Sequence, residues 1–296
     1  MEALLSVLGN FFTILGGVTK LFGRGQLAVQ SPETTARILD EPLAVRPVSH
    51  ASEVAQRLSQ LIELLKQCYS DLTLAELAEY LGHDDVGVLE GLLRGDSPPK
   101  LSILEGVAKQ LGASPDWLKA GKYTPFSNHA PAEHDPRNYV QHIQAAEPLS
   151  VYLIRSKCET GHVLIAFKLS RYNFKVFRTI LHISRHVGAT GQRQLYEFYE
   201  FIRELRDKYS YGRDLGTQVY GRTLSDAKFR SLVDGTVFPG TVIEKQSFNC
   251  SWWDDLTDIN YGYAIARDGY AGYGHPFMEA QSVIRDQIRC RGGIAE

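Results

Sequence analysis

Between residues 70 and 121 the apolar positions recur at helical spacing in three short runs, each stopped by a glycine, and that pattern leaves few folds open. Leu74, Leu77, Ala78 and Leu81 line one face of the first run. It ends at Gly82, a residue with the backbone freedom that a tight turn between two helices needs. Val88, Leu89, Leu92 and Leu93 line the second run, closed by Arg94-Gly95. After the Pro98-Pro99 break, Leu101, Leu104, Val107, Ala108 and Leu111 line the third, closed by Gly112. Ser114 then caps a last short turn with Pro115 at its first helical position, in which Trp117 and Leu118 cover the core. Spacing, turn glycines and caps all specify one small helical bundle.

This segment, residues 70–121, resembles the Cro/C1 type of helix-turn-helix. The matching elements are Glu76-Leu77-Ala78 with Leu81-Gly82, the Arg94-Gly95 end, and the tail from Pro99 and Leu101 through Val107-Ala108, Leu111-Gly112 and Ser114-Pro115-Asp116-Trp117-Leu118. The tail is specific because glycines, prolines and apolar positions fall in register together. The resemblance implies that the second helix of the motif enters the major groove of DNA, its first turns meeting base edges while flanking residues hold phosphates. Carried over by position, it sets His83, Asp84, Asp85, Gly87 and Glu90 against the bases and Thr73, Arg94 and Lys100 near the backbone. Side-chain chemistry pulls the other way. Arg, Lys, Asn and Gln pair bidentately with guanine and adenine, whereas Asp and Glu only accept from cytosine and otherwise repel phosphate. The sequence also has Leu74 where a Gln usually follows the threonine, and one extra residue between Gly82 and Gly95. DNA and a protein partner both stay open for this face.

The formal net charge of −2, from Lys+Arg 32 against Asp+Glu 34, excludes a simple polyelectrolyte route to nucleic acid. Its distribution is uneven. Residues 51–122 carry 7 basic and 11 acidic side chains, and residues 151–296 carry 20 basic and 16 acidic. The helical module is therefore the acidic one. Cys68, Cys158, Cys250 and Cys290 lie far apart with no CxxC pair and no cleavable signal peptide before them, so a reduced, cytoplasmic protein is expected.

Residues 1–23 set Leu4, Leu8, Phe11, Leu15, Val18 and Phe22 at three- and four-residue steps, an amphipathic association helix. The apolar run is short and interrupted by Gly9, Gly16 and Gly17, which disfavours spanning; packing against the rest of the protein or a sister subunit is the commoner outcome, ahead of lying on a membrane surface. Residues 24–50 read as a linker and residues 51–122 as the helix-turn-helix domain, opened by a helix from about 52 to 69. Residues 123–149, with Pro125, Pro131, Pro136 and Pro148, read as a second linker. Residues 150–296 form the last domain, α+β with a mixed or antiparallel sheet, for ligand sensing or assembly. Strands are expected at 151–155 and 162–169 around a turn with Gly161, helices at 171–187 and 191–209, strands at 241–248 and 261–266, and a final helix from Pro276 to about Arg289.

On the expected helix at 171–187, Arg171, Lys175, Arg178, His182 and Arg185 recur at near-helical spacing. Such a stripe fits phosphates of nucleic acid or a nucleotide, while an ordinary solvated face paired with Glu197, Glu200 and Glu204 is the commoner outcome. His182 and His186 have the spacing of two metal ligands with no third signposted, and Cys158 with His162 flank a turn. Asp254, Asp255 and Asp258 read as a solvated loop before an acidic metal cluster. Tyr209, Tyr211, Tyr220, Tyr261, Tyr263, Tyr270 and Tyr273 near Arg213, Arg222 and Arg267 suit a stacking pocket or, more commonly, core and sheet. No Gly-rich phosphate loop, GxSxG or HExxH is present, so no catalytic residue, metal or cofactor is assigned. The expected function is a DNA-binding transcriptional regulator that self-associates. The alternative is an oligomeric interaction or effector protein of a mobile-element or antiviral system, whose acidic helix-turn-helix contacts protein.

Overall fold

The computed structural model describes residues 49–292 apart from 97–98, 128–131, 134, 185–187, 211–215, 246–247, 250–251 and 260–274. These residues belong to one compact unit, Pro47–Glu296. The association helix expected at 1–23 and the linker up to residue 48 lie outside the described residues.

Five helices come first. α1 (His50–Lys66) starts where the Ser49 hydroxyl accepts the Ser52 N–H and buries Val54, Leu58, Leu61 and Leu65 on one side. α2 (Leu74–Tyr80) is opened by a reciprocal capping box between Thr73 and Glu76. α3 (Val86–Arg94) starts at the Asp85 cap and stops at Gly95, whose left-handed backbone, φ 66°, ends the helix. α4 (Leu101–Gln110) buries Leu104, Val107 and Ala108, and α5 (Pro115–Ala120) follows its Ser114 cap. α1 packs on α3 and α5, α2 on α3, and α4 on α5.

The second half is mixed helix and sheet: α6 (Asn138–Ala146), β1 (Ser150–Ser156), β2 (Val163–Lys168), β3 (Phe174–Phe177), α7 (Ala189–Leu205), β4 (Gln218–Leu224), α8 (Asp226–Asp234), β5 (Phe248–Asn249), α9 (Trp252–Asp255) and α10 (His275–Cys290). Single π-helical segments lie at Arg206–Ser210 and Thr241–Lys245. The strand order is β3-β2-β1-β4-β5, with β1 and β4 parallel and every other neighbour antiparallel. The described residues thus form a mixed α+β structure.

All of β1 is buried, and alternate side chains leave a strand on opposite faces, so this sheet is covered on both sides. Tyr152, Ile154, Leu164 and Ala166 enter one core with Leu58, Leu77, Leu104 and Leu111 of the first helices and with Phe174 and Phe238. Val151, Leu153, Val163, Ile165 and Phe167 enter the other, with Ile143 of α6, Phe198 of α7, Trp252 of α9 and Ile284 of α10. The first helices and the sheet therefore share a core.

Several sequence expectations need correction. The stretch 123–149 is not linker throughout: α6 lies in it and buries Tyr139, Val140 and Ile143, while the Phe126 N–H donates to the Gly235 carbonyl at 2.9 Å. The helix expected at 171–187 is instead the edge strand β3, because Phe174 and Val176 point inward at period two and pair with Lys168 and Ala166 of β2. In place of a strand at 241–248 stands a π-helical turn whose Val242 and Ile243 fill the first core, leaving only Phe248–Asn249 as strand. The strand expected at 261–266 lies outside the described residues.

Candidate interaction surface

The turn between α2 and α3 opens with Leu81 and with Gly82 at φ 77°, and its His83 N–H donates to the Ala78 carbonyl at 2.9 Å. Asp84 and Asp85 follow, both exposed. Asp85 Oδ1 accepts the Gly87 N–H at 2.8 Å, so one of the two carboxylates is occupied in starting α3. Helical spacing then sorts the α3 side chains. Leu89 is buried, with Leu92 and Leu93 packed against the core beside it, while Gly87, Glu90, Gly91 and Arg94 share the opposite face. A Cβ on Gly91 would meet nothing within 4 Å, so that face is open. Val88 on its flank and Leu101 at the start of α4 are 39% and 59% exposed.

Electrostatically the face is acidic. Its cation, Arg94, donates from Nε to Asp96 at 2.8 Å and lies 3.7 Å from Glu90, and the Asp96 hydrogen bond holds its guanidinium more firmly protonated than usual. Thr73 is committed to the capping box, its Oγ1 accepting the Glu76 N–H and donating to the Glu76 carboxylate. Lys100 is exposed immediately before α4. The residues that the resemblance set against bases, His83, Asp84, Asp85, Gly87 and Glu90, thus do lie together on the turn and the start of α3. They present carboxylates and bare backbone to whatever approaches.

The basic stripe of the sequence does not assemble, because its residues are not on a helix. Arg171 lies in the β2–β3 turn over the rings of Tyr69 and Tyr172, at 5.6 and 5.2 Å from their centroids. Lys175 lies over Phe177 at 4.9 Å, and Arg178 donates to the Val233 carbonyl at 2.7 Å. His182 is buried, and Arg185 and His186 lie outside the described residues. Among the described residues no group of three or more His, Cys, Asp and Glu can hold a metal ion. Asp254 and Asp258 instead flank Arg206 at 3.7 and 3.8 Å, and Arg206 also donates to Thr257 Oγ1 at 2.6 Å. Burial nevertheless raises the Asp254 pKa above its ordinary value.

Of the tyrosine-rich region, Tyr220 stacks on Tyr152 at 5.4 Å with Arg222 over both rings, while Tyr211, Tyr261, Tyr263, Tyr270, Tyr273, Arg213 and Arg267 lie outside the described residues. Sequence reasoning missed a different aromatic cluster, which joins the first helices to the hairpin. Tyr172 meets Tyr69 and Tyr80 edge-on at 5.0 and 4.8 Å, the Tyr69 hydroxyl donates to the Arg171 carbonyl at 2.6 Å, and the Tyr80 hydroxyl bonds Ser170 and the Gln110 carbonyl. These partners are distant in sequence, so no local period announces them.

Burial first, and the neighbouring His162 second, depress the His182 pKa against a weaker opposing contact with the Gly191 backbone. A buried neutral histidine binds fewer protons than the unfolded chain once the pH is below the ordinary histidine value of 6.5, so stability is lost as the pH falls through that region. Urea titrations at pH 7.5 and about pH 5.5 should show the loss, and His182→Phe should flatten that slope. An unchanged slope would remove His182 from the account.

Compared with protein families, with curated proteins and with solved structures, the chain has no match. Among the described residues no helix is long and apolar enough to cross a membrane.

Proposed function

We propose that α3 and the turn before it form the contact surface of an interaction protein, and that the partner is a basic protein. The observation that carries this reading is the state of Arg94. The outward face has one side chain suited to guanine, and the carboxylates of Asp96 and Glu90 offset its charge. Around it Asp84, Asp85 and Glu90 repel phosphate, and each would face Lys or Arg of a protein favourably. Exposed Val88 adds apolar area of the kind an interface core uses. The acidic balance of residues 51–122 extends the same field beyond α3.

A photo-crosslinking side chain placed at Val88 in the full chain tests this in cells. The expected product is an adduct to polypeptide, destroyed by protease and resistant to nuclease. An adduct to nucleic acid, or none at all, rejects the proposal. Gly91→Ala supplies a second readout, since it fills an open helical position and should stabilise the protein by about 0.5–1 kcal/mol. If α3 is the contact face, the same added methyl lowers the crosslink yield while the melting temperature rises.

Duplex DNA is the second reading, favoured by the α2–turn–α3 pair itself, with Lys100 exposed beside it. In that case the chain would be a transcriptional regulator, with the α+β half sensing a ligand or mediating assembly. Retardation of duplex fragments that weakens steeply with salt would select it.

A further inference from the structure

Where the C-terminal ends of α2 and α4 meet the β2–β3 hairpin, the surface opens into a cleft of about 540 Å³, inside the range that holds small organic ligands. Its walls are Ala108, Ala113, Phe126, Leu169, Phe174 and Val176. Several polar groups also line it, and they are engaged within the protein. The Tyr80 hydroxyl donates to the Gln110 carbonyl and bonds Ser170. The Asn173 amide donates to the Lys109 carbonyl at 2.8 Å, the Gln110 amide to the Leu81 carbonyl at 3.4 Å, and the Ser127 hydroxyl to the Thr124 carbonyl at 2.9 Å. A ligand there meets apolar walls and few polar groups in need of a partner.

Charge supplies the remaining specificity. Among its described lining residues the cleft has no carboxylate and two lysines, Lys109 of α4 and Lys175 of β3, beside a helical bundle whose charge balance is acidic. Lys175 and Phe177 share one side of β3, and the Lys175 ammonium lies over that ring, 4.9 Å from its centroid, which leaves Lys109 as the cation of the cleft. Lys109 is exposed and makes no ion pair with any described residue. We propose that this cleft binds a small amphipathic anion: a flat or cyclic apolar body carrying a single carboxylate, sulfonate or phosphate that Lys109 holds at the mouth. The apolar body lies against Leu169 and the narrow exposed edges of Phe126 and Val176, and the ligand bridges the first helices and the sheet. The site is separate from the α3 face and does not depend on the partner proposed for it.

Anilinonaphthalene sulfonate, an apolar ring system with one anionic group, serves as the probe, with neutral phenylnaphthylamine beside it. The folded full chain is expected to bind each saturably, with one molecule per chain. Lys109→Glu replaces an attraction by a repulsion at an exposed position and should weaken the sulfonate about tenfold while leaving the neutral probe unchanged. Ser127→Trp, which fills the cleft, should weaken both probes. Absence of saturable binding, or wild-type affinity for the sulfonate in either variant, overturns the proposal.

Discussion

Phe174→Ala is expected to destabilise the folded unit by about 3–5 kcal/mol, the usual loss for emptying a buried phenyl site. Phe174 is 3% exposed and meets Phe238 edge-on at 5.6 Å and Tyr152 at 6.3 Å. It therefore stands where the first helices, the sheet and the segment after α8 share one core. The informative part is the distribution of the loss. Hydrogen exchange followed by mass spectrometry should show protection falling by the same factor in peptides from α4 and from α7, which lie on opposite sides of the sheet. A loss confined to α4 would mean that residues 51–122 fold as an independent module. In that case the regulator with a tethered helix-turn-helix would regain ground, since such a module can reorient to reach a second half-site.

Gly235→Ala should be nearly as damaging, at about 3 kcal/mol, for a backbone reason. Gly235 closes α8 at φ 64°, a region that costs an L-residue about 1–2 kcal/mol. An added Cβ would also lie 2.5 Å from both the Phe126 carbonyl carbon and the Ser127 nitrogen. Neither contact is with a flexible side chain, so the chain around Phe126, pinned by its hydrogen bond to the Gly235 carbonyl, would have to move. For a unit of this size the melting temperature should drop by roughly 6–12 °C. Gly91→Ala is the matched control: the same chemical change at an open helical position should raise it. If both substitutions shift the melting temperature alike, the close packing of Phe126 on α8 is wrong. Because Phe126 lines the cleft, Gly235→Ala should also weaken binding of the anionic probe there.

The candidate surface was legible in its residues and opaque in its chemistry. Asp84, Asp85, Gly87 and Glu90 could be placed on the turn and the first part of a helix because caps and apolar steps act within a few residues. That Arg94 turns back onto Asp96 and Glu90 depends on side-chain rotamers at the end of α3, which no spacing encodes. The basic stripe failed for a related reason. The segment from Arg171 to Arg178 carries cations at intervals of three and four, the mark of a helix, and aromatic and β-branched residues at intervals of two, the mark of a strand. Pairing with β2 decided in favour of the strand and sent Arg171, Lys175 and Arg178 to three different neighbours.

What the amino-acid order determined on its own was therefore local: the helices from α1 to α5 with the Ser114 cap and the closing glycines, the two apolar strands around Gly161, and the last helix beginning near Pro276. Each follows from contacts within about one helical turn or one hairpin, where the loop closed is short and its entropy small. The tertiary structure alone decided that β1 is covered on both faces, that Phe126 and α6 pack where a linker was expected, and that a cleft opens beside Lys109. Those features join residues a hundred or so positions apart, such as Tyr69 and Arg171, and burial of a shared apolar surface selects among pairings that the local pattern leaves equal.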